Sequence, residues 1–90
     1  MAPIETIDKA LADSVKLSAK YPNFQPLESV KAQLQYLKGI LDGTVEDRSR
    51  LKEIIIGIYA AKEFEDRDMD FANTLYDVEM IVDQLKSGKL

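Results

Sequence analysis

The clearest structural pattern of the chain lies in residues 26–42, which read PLESVKAQLQYLKGILD. Apolar side chains recur there at alternating spacings of three and four residues, at Leu27, Val30, Leu34, Leu37 and Leu41. Because an α-helix completes a turn about every 3.6 residues, this spacing places all of them on one face. Gly43 follows and is free to adopt the left-handed conformation that ends many helices. The stretch therefore predicts an amphipathic helix from about Pro26 to Asp42.

Two more helices are predicted near the ends of the chain. The first runs from about Pro3 to Ala19, since proline suits a first helical position and Tyr21-Pro22 disfavours continuation of the helix. The last runs from Asp68, as its N-cap, to about Lys86. Apolar side chains recur at helical spacing along both, at Ile4, Ile7, Leu11 and Val15 in the first and at Phe71, Leu75, Val78, Val82 and Leu85 in the last.

A further helix is predicted between these, from about Asp47 to Phe64. Its apolar stripe comprises Leu51, Ile54, Ile55, Ile58 and Ala61. The run Ile54-Ile55-Ile56 would also suit a buried strand, because β-branched residues favour strands. Residues 50–53 and 60–63 on either side are strong helix formers, so the helix is preferred. Residues 1–90 are therefore predicted to form a single all-α domain, an antiparallel up-down four-helix bundle.

Composition excludes several classes of function. The chain contains no cysteine and no histidine, which removes thiolate chemistry, the commonest general base and the commonest metal ligand. A formal net charge of -4 disfavours nucleic acid as a partner, because phosphates require basic surfaces. No apolar run reaches the length of a membrane span, so we expect a cytoplasmic protein that does not bind a membrane.

An acidic run between the last two predicted helices is the only candidate metal site. Asp66, Asp68 and Asp70 alternate as in the opening of a calcium-binding loop. That loop requires glycine at its sixth position and glutamate at its twelfth, whereas this chain has Phe71 and Asp77. The pattern favours a solvated turn, and no catalytic motif occurs elsewhere. We therefore expect no metal, no cofactor, no small-molecule substrate and no enzymatic activity, but binding to another protein.

Several side chains outside the apolar stripes are suited to a protein interface. Ile56 and Tyr59 are predicted to point away from the core stripe of the third helix, and Met69, Tyr76 and Met80 form a second line on the fourth. Tyrosine and methionine are favoured at interfaces, and acidic residues between the two helices would form a charged rim. The predicted partner-binding residues are Tyr59, Glu63, Glu65, Asp66, Asp68 and Tyr76.

Two glycines lie inside predicted helices, where glycine costs about 1 kcal/mol relative to alanine. They are Gly39 and Gly57. Each is expected to allow another backbone to come close, either from a neighbouring helix or from a partner.

The chain resembles the small helical immunity proteins that bacteria pair with type VI secretion effectors of the NAD(P)+ glycohydrolase kind. The resemblance rests on a series of short segments: Pro3-Ile4-Glu5 with Ile7-Asp8 and Ala10-Leu11, Tyr21-Pro22, Gln33-Leu34-Gln35-Tyr36, Asp47-Arg48-Ser49 with Leu51, Gly57, and Lys62-Glu63-Phe64. It covers roughly the first two-thirds of the chain. It implies a cytoplasmic bundle that binds its cognate toxin effector domain and blocks access of substrate to the active site.

An alternative function remains open on the sequence alone. A non-catalytic helical adaptor or regulatory subunit, self-associating through the second faces of its last two helices, would have the same composition. The two functions differ in genomic context, because an immunity gene is expected directly beside a toxin gene and an adaptor gene is not.

Overall fold

The chain folds into helices joined by turns. The structure, a computed structural model, describes residues 2–90 and contains no β-strand within that range. Its elements are α1 (Pro3–Lys20), α2 (Gln25–Asp42), a 3-10 turn (Ser49–Glu53), α3 (Ile56–Tyr59), a π-helical turn (Ala60–Phe64) and α4 (Met69–Lys86). None of the helices in residues 2–90 combines the length and apolar content that a membrane crossing requires. The predicted all-α class is confirmed.

Three pairs of residues define the directions of the helices. Asp8 near the start of α1 pairs with Lys38 near the end of α2. Leu17 near the end of α1 and Phe71 near the start of α4 line the same depression. Gly57 at the start of α3 contacts Glu79 in the second half of α4. Helices that follow one another in the chain therefore run antiparallel. This arrangement confirms the predicted up-down bundle.

One cluster of buried apolar side chains forms the core, and α1, α2, α3 and α4 all contribute to it. The predicted stripe of α4 is buried in full, at Phe71, Leu75, Val78, Val82 and Leu85. The predicted stripe of α2 is buried at Leu27, Val30, Leu34 and Leu37, whereas Leu41 is half-buried. These two helices therefore follow the apolar pattern of the sequence closely.

The predicted stripe of α1 is wrong at Val15, whose side chain is 62% exposed. The buried face of this helix consists of Thr6, Ile7, Ala10, Ser14 and Leu17. Ser14 can occupy the core because its Oγ donates a hydrogen bond to the carbonyl oxygen of Leu11 at 2.7 Å, so that no polar group is left unpaired. The core-facing stripe thus continues through a polar residue, which an apolar pattern does not reveal.

The third helix begins at Ile56 instead of Asp47. The backbone N–H of Ile55, which an unbroken helix would pair with the carbonyl of Leu51, instead donates to Oε1 of Gln33 from α2 at 2.9 Å. Ile54 is extended between the 3-10 turn and α3. The predicted boundary is therefore wrong because a side chain of a neighbouring helix takes an amide that the continuous helix would need.

This break shifts which isoleucines face the core. Ile54 and Ile56 are buried, whereas Ile55 and Ile58 are 39% and 53% exposed, and Ala61 is exposed. The prediction that Ile55, Ile58 and Ala61 lie in the core is wrong, and so is the prediction that Ile56 points away from it. The extended residue between the two helical pieces interrupts the helix. Side-chain directions counted from Leu51 along one continuous helix therefore do not apply after it.

The π-helical turn brings the end of this segment back into the core. The amide of Glu65 donates to the carbonyl of Ala60 at 3.0 Å, five residues back, where an α-helix would use the carbonyl four residues back. The turn is wider than an α-helical turn, so Phe64 lies on the same buried side as Ile56 and Ala60. Phe64 then packs edge-on against Phe71 of α4, with 5.0 Å between the ring centroids.

Candidate partner-binding site

The acidic turn, residues 65–68, connects the π-helical turn to α4 at one end of the bundle. Asp68 begins α4 as predicted: it is the N-cap, and its Oδ1 accepts a hydrogen bond from the amide of Phe71 at 3.0 Å. Because α1 ends and α2 begins at the same end of the bundle, the corner between those helices lies beside the acidic turn. The site is therefore built from two connections rather than one.

Arg67 joins these two connections. Its guanidinium lies 4.4 Å from the ring centroid of Phe24 and 5.9 Å from that of Tyr21, both at the corner between α1 and α2. The same guanidinium donates to the carbonyl oxygen of Glu63 at 2.8 Å and lies 3.6 Å from its carboxylate. These contacts hold the turn against the aromatic corner, and they neutralise part of the charge of Glu63.

The six predicted site residues differ in their exposure and in whether their side chains already have partners within the fold. Asp66 is exposed and forms no hydrogen bond or ion pair with residues 2–90. Asp68 is engaged as a cap and Glu63 is paired with Arg67. Tyr59 lies one helical turn before Glu63 and is half-buried against the core.

Tyr76 and Glu65 are joined directly, since the phenol of Tyr76 donates a hydrogen bond to Oε2 of Glu65. This bond brings α4 to the acidic turn, so that Tyr76 and the acids of the turn share one region of the surface. The hydrogen bond from the neutral phenol, together with burial and the nearby negative charge, raises the pKa of Tyr76 above its usual value of 10.0.

Replacing Glu65 by glutamine is expected to lower the pKa of Tyr76 toward 10.0, because an amide oxygen is a weaker hydrogen-bond acceptor than a carboxylate and carries no negative charge. The titration of the Tyr76 ring can be followed by NMR. Asp66→Asn is the matched control, since it removes the neighbouring carboxylate without touching this bond. Equal shifts in the two variants, or no shift in Glu65→Gln, would contradict the assigned hydrogen bond.

The predicted site omitted the aromatic corner and the cations that border the acidic turn. Lys16 and Lys20 of α1 line a depression of about 450 Å³ together with Asp68 and Asp70. Positive charge therefore borders the acidic turn on the side of α1. Asp66 does not line that depression. In the sequence, Tyr21-Pro22 indicated only the end of a helix, and nothing in it indicates which distant turn the corner would meet.

Two further sequence predictions concern metal binding and the helical glycines. Within residues 2–90 no three acidic side chains are grouped so that they could hold a metal ion. Gly57 lies against the side chain of Glu79. Gly39 lies against the side chain of Val45, whose backbone amide also donates to the carbonyl oxygen of Gly39 at 3.0 Å. The expected approach of another backbone is therefore present at Gly39, where the turn after α2 makes it, whereas at Gly57 a side chain comes close.

Comparisons with known proteins agree on one family. The model of the Tsi6 family matches residues 2–84, which extends the resemblance from the first two-thirds of the chain through almost all of α4. The immune protein Tsi6 of Pseudomonas aeruginosa PAO1 is 42% identical over 77 residues, which are 86% of this chain and 82% of that protein.

Solved structures show the same bundle. A chain from the structure of Tse6 in complex with Tsi6 matches with a TM-score of 0.92 and 38% identity, covering 98% of this chain and 94% of the other. The structure of Tsi6 from Pseudomonas aeruginosa matches with a TM-score of 0.85 and 39% identity, covering 91% and 95%. These matches confirm the resemblance found in the sequence and agree with the prediction of a protein that is not an enzyme. The chain belongs to the family of the immune protein Tsi6.

Proposed function

We propose that this chain is a cytoplasmic immunity protein, acting as one domain over residues 1–90. It binds a cognate type VI secretion effector and occludes its active site. The effector is of the kind that the sequence resemblance implies, an NAD(P)+ glycohydrolase. The observation that carries this proposal is the close match, over 98% of the chain, to a bundle solved in a Tse6–Tsi6 complex.

Occlusion requires only a stable scaffold and a complementary surface. A cleft that binds NAD(P)+ is expected to present basic residues to the pyrophosphate, and exposed acids complement such residues. Asp66 suits this role because its carboxylate is exposed and engaged by no other group in residues 2–90. The half-buried rings of Tyr59 and Tyr76 would add apolar contact area next to it.

The other predicted contacts are given supporting roles by their environment. Glu63 and Glu65 lie on either side of the end of the π-helical turn, and each already has one intramolecular partner. Asp68 fixes the start of α4 through its capping bond. We assign these three to the rim of the interface, where charge guides encounter and contributes little to the final affinity.

Titration of the effector with this chain tests the function. The effector encoded beside this chain should lose its NAD+ hydrolysis at close to one-to-one stoichiometry, and the chain alone should not consume NAD+. Boiled chain and an unrelated helical bundle serve as controls. Full hydrolysis in the presence of excess chain would contradict the proposed function, and hydrolysis by the chain itself would make it an enzyme.

A further inference from the structure

The α3 segment, meaning α3 together with the π-helical turn (residues 56–64), is tied to α4 at both of its ends. At its start, the amide of Gly57 donates to Oε2 of Glu79 at 3.1 Å. Just beyond its end, Glu65 accepts the hydrogen bond from Tyr76. Tyr76 and Glu79 are three residues apart and therefore lie on neighbouring positions of one face of α4. Hydrogen bonds to this face of α4 therefore hold the α3 segment both at its start and just beyond its end.

The bond at the start of the segment is formed at a glycine, whose missing side chain leaves room for the carboxylate. A Cβ at this position would lie 3.2 Å from both Cδ and Oε2 of Glu79. A side chain at position 57 would therefore crowd the carboxylate and force it to shift by a few tenths of an ångström. The amide of Gly57 belongs to the first turn of α3, where N–H groups have no partner within the helix, and a negative charge is favourable there.

The α3 segment has little stability of its own. It is nine residues long, and isolated helices shorter than about 12–15 residues are marginal in water. It also contains Gly57 and two β-branched residues, which lower its helix propensity. An extended residue, Ile54, precedes it and an irregular turn follows it. Its position must therefore be set by contacts with other elements.

We propose that Glu79 is a positioning residue for effector binding, which acts by accepting a hydrogen bond from the backbone amide of Gly57 on the α3 segment. Together with the buried side chains of Ile56 and Phe64, the bond fixes where the segment sits along α4, and with it the locations of Tyr59, Glu63 and the acidic turn. Glu79 acts through the α3 segment and does not itself touch the effector. This inference rests on the proposed function, since it assigns Glu79 a role in binding the same partner.

A double-mutant cycle between the two residues tests the inference. Glu79→Ala should weaken binding of the effector by about tenfold, the scale of one hydrogen bond to a charged group, and Gly57→Ala should weaken it by a smaller factor because its Cβ crowds the carboxylate without removing it. The double variant should bind no more weakly than the weaker single variant, because both changes break the same bond. Glu79→Gln can still accept the hydrogen bond and should therefore retain most of the affinity that Glu79→Ala loses. Asp83→Ala, at an exposed position one turn further along α4, is the matched control.

A second measurement separates positioning from general stability. Alanine has the higher helix propensity, so a merely structural role predicts unchanged or tighter binding by Gly57→Ala. Amide hydrogen exchange should rise in residues 57–64 of Glu79→Ala while the core amides of α2 stay protected. Unchanged affinity despite faster exchange in the α3 segment, or additive losses in the double variant, would overturn the inference. Failure of the unmodified chain to bind the effector would instead overturn the proposed function, and the exchange measurement would still report on the Glu79–Gly57 bond.

Discussion

Ile56→Ala should lower the free energy of unfolding by about 2–5 kcal/mol, the cost of truncating a fully buried isoleucine. Ile58→Ala, two residues away in the same helix, should change it by about 0.5 kcal/mol or less, because that side chain is 53% exposed. Both substitutions replace the same residue type and gain the same helix propensity, so their difference isolates burial. Urea unfolding monitored by circular dichroism measures both values.

The contrast between these two variants tests the break before α3. A continuous helix from Asp47 would place Ile58 in the core and turn Ile56 away from it, which reverses the expected order of the two variants. A larger loss of stability in Ile58→Ala than in Ile56→Ala would therefore contradict the extended residue at Ile54 and the phase of the α3 segment.

Charge reversal at the acidic turn and the first turn of α4 should slow association with the effector by about tenfold or more at low salt. The variant is Asp66→Lys in the acidic turn combined with Asp70→Lys in α4, since both carboxylates are exposed and neither is paired within residues 2–90. Complementary charges raise association rates by about 10–1000-fold, and this contribution falls as salt screens it. Stopped-flow kinetics at several ionic strengths would show the effect diminishing as salt increases. Dissociation should change less, because rim charges act mainly on encounter.

A matched control carries the same change in net charge on other surfaces of the molecule. Glu46→Lys combined with Asp83→Lys adds the same four units of positive charge at exposed positions outside the acidic turn. This control should retain an association rate close to that of the unmodified chain. Equal slowing in both variants would indicate that only net charge matters, and no slowing in either would exclude the acidic turn from the interface.

Local patterns in the sequence predicted most of the helical framework. Residues 26–42 and 71–85 carry unbroken apolar periodicity, and each stretch lies within one continuous α-helix. The start of α3 could not be predicted in this way. It depends on Gln33 of α2 accepting the amide of Ile55, a contact between residues 22 positions apart. Periodicity describes one helix at a time and contains no information about such contacts.

The candidate site shows the same division. Asp68 was predicted as a cap because capping is a local property of sequence, and the structure confirms it. The bond from Tyr76 to Glu65 and the packing of Arg67 on Phe24 join separate elements of the fold. The sequence shows which residue types are present, but it does not show which residues of other elements they contact. The assignment of the six residues to the interface remains a prediction.

Exclusion of the dinucleotide tests the central claim of active-site occlusion most directly. Isothermal titration calorimetry can measure how a non-hydrolysable NAD+ analogue binds the effector, alone and saturated with this chain. Occlusion predicts that the saturated effector shows no binding of the analogue. Below saturation, the apparent Kd of the analogue should rise linearly with the concentration of free chain. Binding of the analogue with unchanged affinity at saturating chain would mean that a ternary complex forms, and would contradict occlusion.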